Sequence, residues 1–319
     1  MKLLHRSIKS SNHSIPDMRA LLAFFFSCSF LLIQAQEVKL TVSDSVAEVN
    51  QRRLKLLSYT LGGGYVLSMS GLYFAWYKDY PQSSFHFHND NKDWLQMDKV
   101  GHSVTAYQVG RYGYDAFRWA GMPEKKAVWI GGSLGFVFLF TVEVFDGFSA
   151  EWGASPGDLI ANTAGTSLFI GQQLLWKEQR ISLKFSYHKT SYRQYNPDLL
   201  GTNTLESIVK DYNGQTYWLA VNPKSFLPES SKFPSWLDLA IGYNAEAMVG
   251  GINPADFNPV PQFNPRRVWL FSPDINLRKI PTKNKTLKLV FTALSFIKVP
   301  LPAIAYDKQD HFQFHWFYF

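Results

Sequence analysis

The sequence predicts an α+β protein: a mainly α-helical, membrane-associated core of three to four apolar helices, followed by a C-terminal antiparallel β region. Three observations carry this expectation. Uncharged runs of helical length occupy Leu56–Tyr77, Ala127–Val142 and Leu159–Trp176. After Lys177 the pattern changes to period-two alternation, as in Ile181-Ser-Leu-Lys-Phe-Ser-Tyr187, which is a strand signature. Charged residues make up only 18% of the 319 and aromatic residues 16%. An average soluble domain carries roughly 25% charged residues, so this composition points to burial in protein or lipid rather than disorder.

The chain opens on an export pattern. Leu21 to Ile33 form a 13-residue run whose only polar members are Ser27, Cys28 and Ser29, with Arg19 before it and Ile33-Gln34-Ala35 after it. A basic flank, a short apolar stretch and a small residue at the cleavage point are the three parts of a secretory signal. Residues 1–35 therefore read as a signal peptide, with Met18 as an alternative start to Met1. Cys28 is the single cysteine, so no internal disulfide is possible. It lies inside the apolar run, which favours ordinary cleavage at Ala35 over lipid attachment at Cys28.

Residues 36–177 form the expected helical domain. Leu56–Tyr77 is 22 residues without a charge, bracketed by Lys55 and Lys78, with Tyr73, Trp76 and Tyr77 near one end. Length, flanking lysines and interfacial aromatics predict a membrane span. Met97 to Trp119 reads as a helix of mixed character, and Gly121 and Pro123 separate it from the next. Ala127–Val142 and Leu159–Trp176 are each short for a full span and fit tilted spans, a re-entrant pair or buried helices.

Residues 178–319 form a β-rich region with one amphipathic helix. Ile181–Tyr187, Tyr217–Val221, Leu237–Tyr243, Arg267–Leu277 and Gln313–Phe319 are the strand candidates. In Lys285–Lys298 the apolar positions Leu287, Leu289, Val290, Phe291 and Leu294 give a helix that either packs on a core or lies on a membrane surface. Aromatic strands ending at Phe319 also fit an outer-membrane barrel. A small sheet packed on the helical core is the expectation taken.

The net charge of +7 is dispersed rather than blocked. It suits a surface near anionic lipid headgroups, and neither zinc-finger spacing nor a basic stripe interleaved with aromatics supports nucleic-acid binding. The expected partner is membrane lipid or an envelope component. Nucleophilic-hydrolase and phosphate-loop readings have no motif behind them, because no Gly-x-Ser-x-Gly elbow occurs and Gly62-Gly63-Gly64 is not followed by a Lys-Ser/Thr pair.

Chemistry concentrates in three pieces: Asp98-Lys99-x-x-His102, Glu143-x-x-Asp146, and Asp158 with Asn162, preceded by Ser155. Spacings of three and four put each pair on one helix face. Ionisable groups at the edges of apolar helices are costly unless they face one another or a wet cavity. One imidazole and several carboxylates suit a divalent metal such as zinc, manganese or magnesium, or acid–base work. On this basis His102, Glu143, Asp146 and Asp158 are the candidate catalytic and metal-binding residues, with Asp98, Lys99, Asn162 and Ser155 in support. The same spacing is equally met by a structural network that ties helices together.

The order of these pieces, ending on Asn162-x-x-Gly165, resembles the YfiM-like family of predicted periplasmic lipoproteins, a bacterial domain of unknown function. The likeness covers about Met97 to Trp176. The same order is similar to the VanZ-like membrane family, although the glutamine and arginine expected after the glutamate are replaced here by Asp146 and Glu151. The resemblance implies a helical, membrane-associated domain in the bacterial cell envelope and implies no reaction. Two functions stand open: a metal-binding or acid–base site acting on an envelope lipid or cell-wall precursor, or a non-enzymatic assembly protein whose polar cluster only holds helices together.

Overall fold

The computed structural model describes residues 49–78, 80–250 and 263–319. The expected signal peptide, Cys28 and the alternative start lie outside the described residues. Helices come first: α1 (Gln51–Leu72), α2 (Met97–Trp119), α3 (Glu124–Gly132), α4 (Leu134–Gly147) and α5 (Pro156–Trp176). Then follow β1 (Ile181–Tyr187), α6 (Thr204–Lys210), β2 (Gln215–Val221), β3 (Leu237–Glu246), β4 (Arg266–Ile275), α7 (Lys285–Leu294), β5 (Leu301–Asp307) and β6 (His311–Tyr318). The mixed helical and antiparallel architecture with a C-terminal sheet agrees with the sequence-based expectation.

Local chemistry sets the helix ends. The Asn50 side chain accepts from the Arg53 N–H at 3.0 Å to cap α1, and Ser155 accepts from the Asp158 N–H at 3.1 Å to cap α5, whose first residue is Pro156. Gly121, at φ +84°, turns the chain between α2 and α3. Helix α2 is the central element, in contact with α3, α4 and α5. Tyr107 of α2, Val128 of α3 and Phe169 and Ile170 of α5 form one buried cluster. Leu57 of α1 joins Ala116 and Phe117 of α2 in a second.

The closest helix contact is between α2 and α5. A Cβ placed on Gly165 would lie 2.0 Å from the Ser103 carbonyl oxygen, so only glycine fits there. The spacing Asn162-x-x-Gly165 anticipates this approach. Ser103 Oγ also donates to the Ala161 carbonyl at 2.9 Å.

The expected membrane core of three to four helices is not supported. Among the described residues, one helical stretch, Glu124–Gly147, is long and apolar enough to cross a membrane by length and composition. It bends at Ser133, between α3 and α4. Leu56–Tyr77 and Leu159–Trp176 do not qualify. The reason is composition: the first carries serines, tyrosines and Gly62-Gly63-Gly64, and the second Asn162, Gln172 and Gln173, all uncharged but not apolar.

The six strands form one antiparallel meander in chain order, β1 to β6. β5 is the strand the sequence reading missed, because Pro302 and two alanines mask its alternation. The free edge of β1 is covered by the segment after α7: Phe185 N–H donates to the Phe296 carbonyl at 2.8 Å, and Lys298 N–H to the Phe185 carbonyl at 2.9 Å. Helix α7 buries only Leu289 and leaves Leu287, Val290 and Leu294 exposed. It does not fill a core. Helix and sheet meet where Met97 and Val104 of α2 pack with Tyr217, Ala245 and Met248.

Gly165→Ala is expected to cost about 1–3 kcal/mol by overpacking the α2–α5 contact. Gly171→Ala, where the space for a Cβ is open, is expected to stabilise α5 by up to ~1 kcal/mol through helix propensity. Thermal or urea unfolding of the two variants checks the pair, and equal effects would contradict this packing.

Candidate functional site

The three sequence pieces meet at the N-terminal ends of α2 and α5 and the C-terminal end of α4. Before α2, Trp94, Leu95 and Gln96 all take left-handed conformations, with φ of 48°, 50° and 68°. Such a turn costs roughly 1–2 kcal/mol per non-glycine residue. It is held by the Tyr243 hydroxyl, which donates to the Leu95 carbonyl, and by Trp94 against Tyr212 at 5.3 Å between ring centres. The turn presents Asp98 and Lys99 on the first turn of α2, facing α5.

Lys99 Nζ lies 2.6 Å from Asp90, 3.0 Å from Asp158 and 3.5 Å from Asp98. The sequence reading placed this ammonium in support of the cluster. It is engaged by three carboxylates, Asp90 arriving from the preceding loop. Asp98 Oδ1 accepts from the Tyr212 hydroxyl at 2.6 Å.

One turn along α2, His102 Nδ1 is 3.0 Å from Asn162 Oδ1. With that oxygen as acceptor, Nδ1 carries the proton and Nε2 presents its lone pair, the orientation a metal-ligating histidine needs. Nε2 is 3.7 Å from Asp98 Oδ1, and Nδ1 is 3.8 Å from Glu143 Oε1. Glu143 Oε2 accepts the Ser155 N–H at 2.8 Å, and the Ser155 hydroxyl donates to Asp90 at 2.6 Å. Within this cluster two buried side-chain atoms have no hydrogen-bond partner, Asp158 Oδ1 and Asn162 Nδ2.

Among the described residues, one set of at least three potential metal ligands converges: Asp98, His102 and Asp158, with ligand atoms all within 4.8 Å of one another. From the expected metal set this brings together His102 and Asp158, and it adds Asp98, expected in support. Glu143 sits beside the trio against His102. Asp146 turns aside, accepting from the Tyr77 hydroxyl at 2.7 Å. Asp90, Tyr77 and Tyr212 were missed by the sequence reading. His86, which lies in the loop before α2, is engaged with the Trp152 carbonyl at 2.8 Å.

The electrostatics follow from too many carboxylates in one dry place. Burial, with neighbouring Asp98, raises the Asp158 carboxyl from 3.8 to about 7. Burial raises Glu143 from 4.5 to about 8, although the Ser155 N–H and His102 pull it down. Burial raises Asp146 to about 6 against its bond from Tyr77. Burial alone would lower the His102 imidazole, but Asp98, Asp158 and Glu143 outweigh that and hold it raised. Burial would raise Asp98, but His102 and Lys99 outweigh it and hold it lowered.

These shifts fix a pH dependence. A carboxyl raised on folding binds more protons in the folded chain between its ordinary and raised values, so stability falls as pH rises through that window. Glu143, Asp158 and Asp146 all act this way, and His102, raised above 6.5, adds the same sign. Asp98 acts oppositely, but only below 3.8. The melting temperature of metal-free protein is therefore expected to fall from about pH 5 to about pH 8. Glu143→Gln, which cannot ionise, is expected to flatten the slope. Circular-dichroism melts across that range check both, and a rising curve would contradict the arrangement.

Residues 86–171 match the family described as predicted periplasmic lipoprotein (DUF2279). No curated protein and no solved structure matches the chain, and no match supports the likeness to the VanZ-like family. The matched segment runs from the loop before α2 into α5 and contains the whole polar cluster except Tyr77 and Tyr212. Residues 86–171 are thus similar to the predicted periplasmic lipoprotein family, and this likeness supports an exported, cell-envelope location.

Proposed function

We propose that Asp98, His102 and Asp158 form a divalent-metal site in a cell-envelope protein that acts on an envelope lipid or cell-wall precursor. The observation that carries this reading is the Asp158 carboxylate: its Oδ1 is buried and without a partner, and one of its oxygens lies within 4.8 Å of ligand atoms of Asp98 and His102. An unsatisfied buried carboxylate oxygen costs several kcal/mol. A cation between Asp158, Asp98 and His102 Nε2 removes that cost. It also replaces the protons that Asp158 and Glu143 hold near neutrality, since ligands must deprotonate to bind metal. When bound, such an ion polarises an ester or phosphoryl oxygen or lowers the pKa of a bound water. This chain's own residues then have distinct parts. Asn162 fixes the imidazole tautomer, Lys99 neutralises Asp158 Oδ2 and Asp98 Oδ2, and Glu143 stands ready to take or give a proton beside His102.

Support for a lipid substrate comes from the space next to the cluster. A cleft of about 470 Å³ runs from Lys99, Ser103 and Gly157 along Ile160 to Leu219, Ile241 and Trp269 of the sheet. Its walls are almost wholly apolar. It fits an acyl or isoprenoid chain with its polar end at the cluster.

A second reading is favoured by Lys99. Its three ion pairs already supply one positive charge, so the cluster also works as a structural clamp between α2 and α5. Elemental analysis and calorimetric titration with zinc, manganese and magnesium separate the two. The expected outcome is one equivalent of metal bound, with protons released and affinity falling from about pH 8 to about pH 6. Asp158→Asn and His102→Gln are expected to lose at least ~10-fold in affinity while keeping the fold. Absence of binding, together with a lowered melting temperature for His102→Gln, would leave the clamp as the function of the cluster.

A further inference from the structure

The sheet has a mixed inner face and an apolar outer one. One face, on the inside of its curl, holds Ser182, Lys184, Ser186, Thr216, Ser272 and Asp274, all buried. Lys184 pairs with Asp274 there, and Lys298 lies over the Trp218 ring at 4.8 Å. Around these polar groups the same face carries an apolar cluster of Trp218, Val268, Leu270 and Tyr318 with Ala220, Ala240, Ala303 and Ala305. The opposite face is apolar; at β2 it is partly covered by α2, which buries Tyr217, and towards β4, β5 and β6 it is open. In cross-strand register, Leu219, Ile241, Phe271, Ile304 and Phe314 form one continuous row, each 40–55% exposed. A soluble sheet buries such a row and exposes its charges. A sheet facing lipid does the reverse.

We propose that this outer face contacts the hydrocarbon of a lipid bilayer with anionic headgroups. Row composition changes with height as a membrane demands. Beside the aliphatic row lies an aromatic one, Tyr243, Trp269, Tyr306 and Phe312, which Tyr217 continues beneath α2. On the other side come Val221, Leu239 and Pro273, then Leu237 and Ile275. Four rows set two residues apart span about 20 Å at ~3.3 Å per residue, close to the ~25 Å apolar band of membrane sheets. Trp236 precedes Leu237 at the far rim, so aromatic side chains border both ends, as at a lipid–water interface. Charge lies just outside the band. Arg267, paired in register with Ala245, and Lys308 in the β5–β6 turn are exposed beyond the aromatic row, and Lys232 beyond Trp236. Basic residues at both rims match anionic headgroups. Helix α7 adds Leu287, Val290 and Leu294, exposed as the apolar side of an amphipathic helix. This surface is independent of whether the polar cluster binds metal.

Vesicle binding of the whole chain does not isolate this surface, because other apolar segments contribute. A positional readout does. In a Cys28→Ser background, single cysteines at Phe271, Ile304 and Lys308 are spin-labelled, and the full chain is reconstituted with phosphatidylethanolamine–phosphatidylglycerol vesicles. The expected result is several-fold more collision with oxygen, which partitions into lipid, than with a water-soluble nickel complex at 271 and 304. The order reverses at 308. Greater access of the nickel complex at 271 and 304 would overturn the proposal, as would failure of the chain to associate with these vesicles. Dipolar broadening between labels at 271 on two chains would assign the face to a second copy and equally overturn it.

Discussion

Lys99 Nζ, 2.6 Å from Asp90 and 3.0 Å from Asp158, imposes a demanding condition on the helical unit. Removing an ammonium and carboxylates from water costs several kcal/mol per ion, and the attraction repays this only when the geometry is good. Asp90 belongs to a loop, Lys99 to the first turn of α2, and Asp158 to the first turn of α5. Bringing them together requires the two helix backbones to approach closely, and the glycines at the contact allow it. A Cβ on Gly157 would lie 3.1 Å from Lys99 Cε, as one on Gly165 would strike Ser103 further along. The left-handed turn at Trp94–Gln96 belongs to the same condition, since it aims Asp98 and Lys99 at α5.

The site was legible where helical periodicity decides it. Asp98 with His102 and Asp158 with Asn162 share faces because four residues bring a helix back to within a fraction of a turn. Spacing of three is a weaker guide. Glu143 and Asp146 point some 60° apart around α4, enough for Glu143 to meet His102 while Asp146 meets Tyr77. Asp90 and Tyr212 were not legible at all. They come from loops with no periodic signal, and their place depends on the path of the chain between elements. Asp90 had one indirect trace: the sequence puts more carboxylates than cations near Lys99, so a buried lysine there has acidic partners to find.

The fold shows the limits of two habits of reading. Absence of charge is not hydropathy: serines, tyrosines and glycines leave Leu56–Tyr77, the expected span, without the apolar content of one, whereas the stretch that has it is Glu124–Gly147. Alternation reveals which residues share a face of a strand but not which face is inside. In Ile181–Tyr187 the buried positions are Ser182, Lys184 and Ser186. The burial of a serine–lysine–serine set depends on partners elsewhere, Asp274 above all, and no local pattern reveals that.

The charge excess at the helix cluster bears on the two readings of its role. A network that serves only to join helices is stabilised by complete pairing, and apolar replacements often do the job as well or better. The cluster here is not completely paired. It gathers Asp90, Asp98, Asp158 and Glu143 around Lys99 and His102, leaves Asp158 Oδ1 without a partner, and pushes Glu143 up to about 8. Each of these features destabilises the folded chain near neutral pH, and each is relieved by one added cation. A protein that is to hold only its own helices gains nothing from that strain. One that is to capture a divalent ion, and to exchange protons as it does so, depends on it.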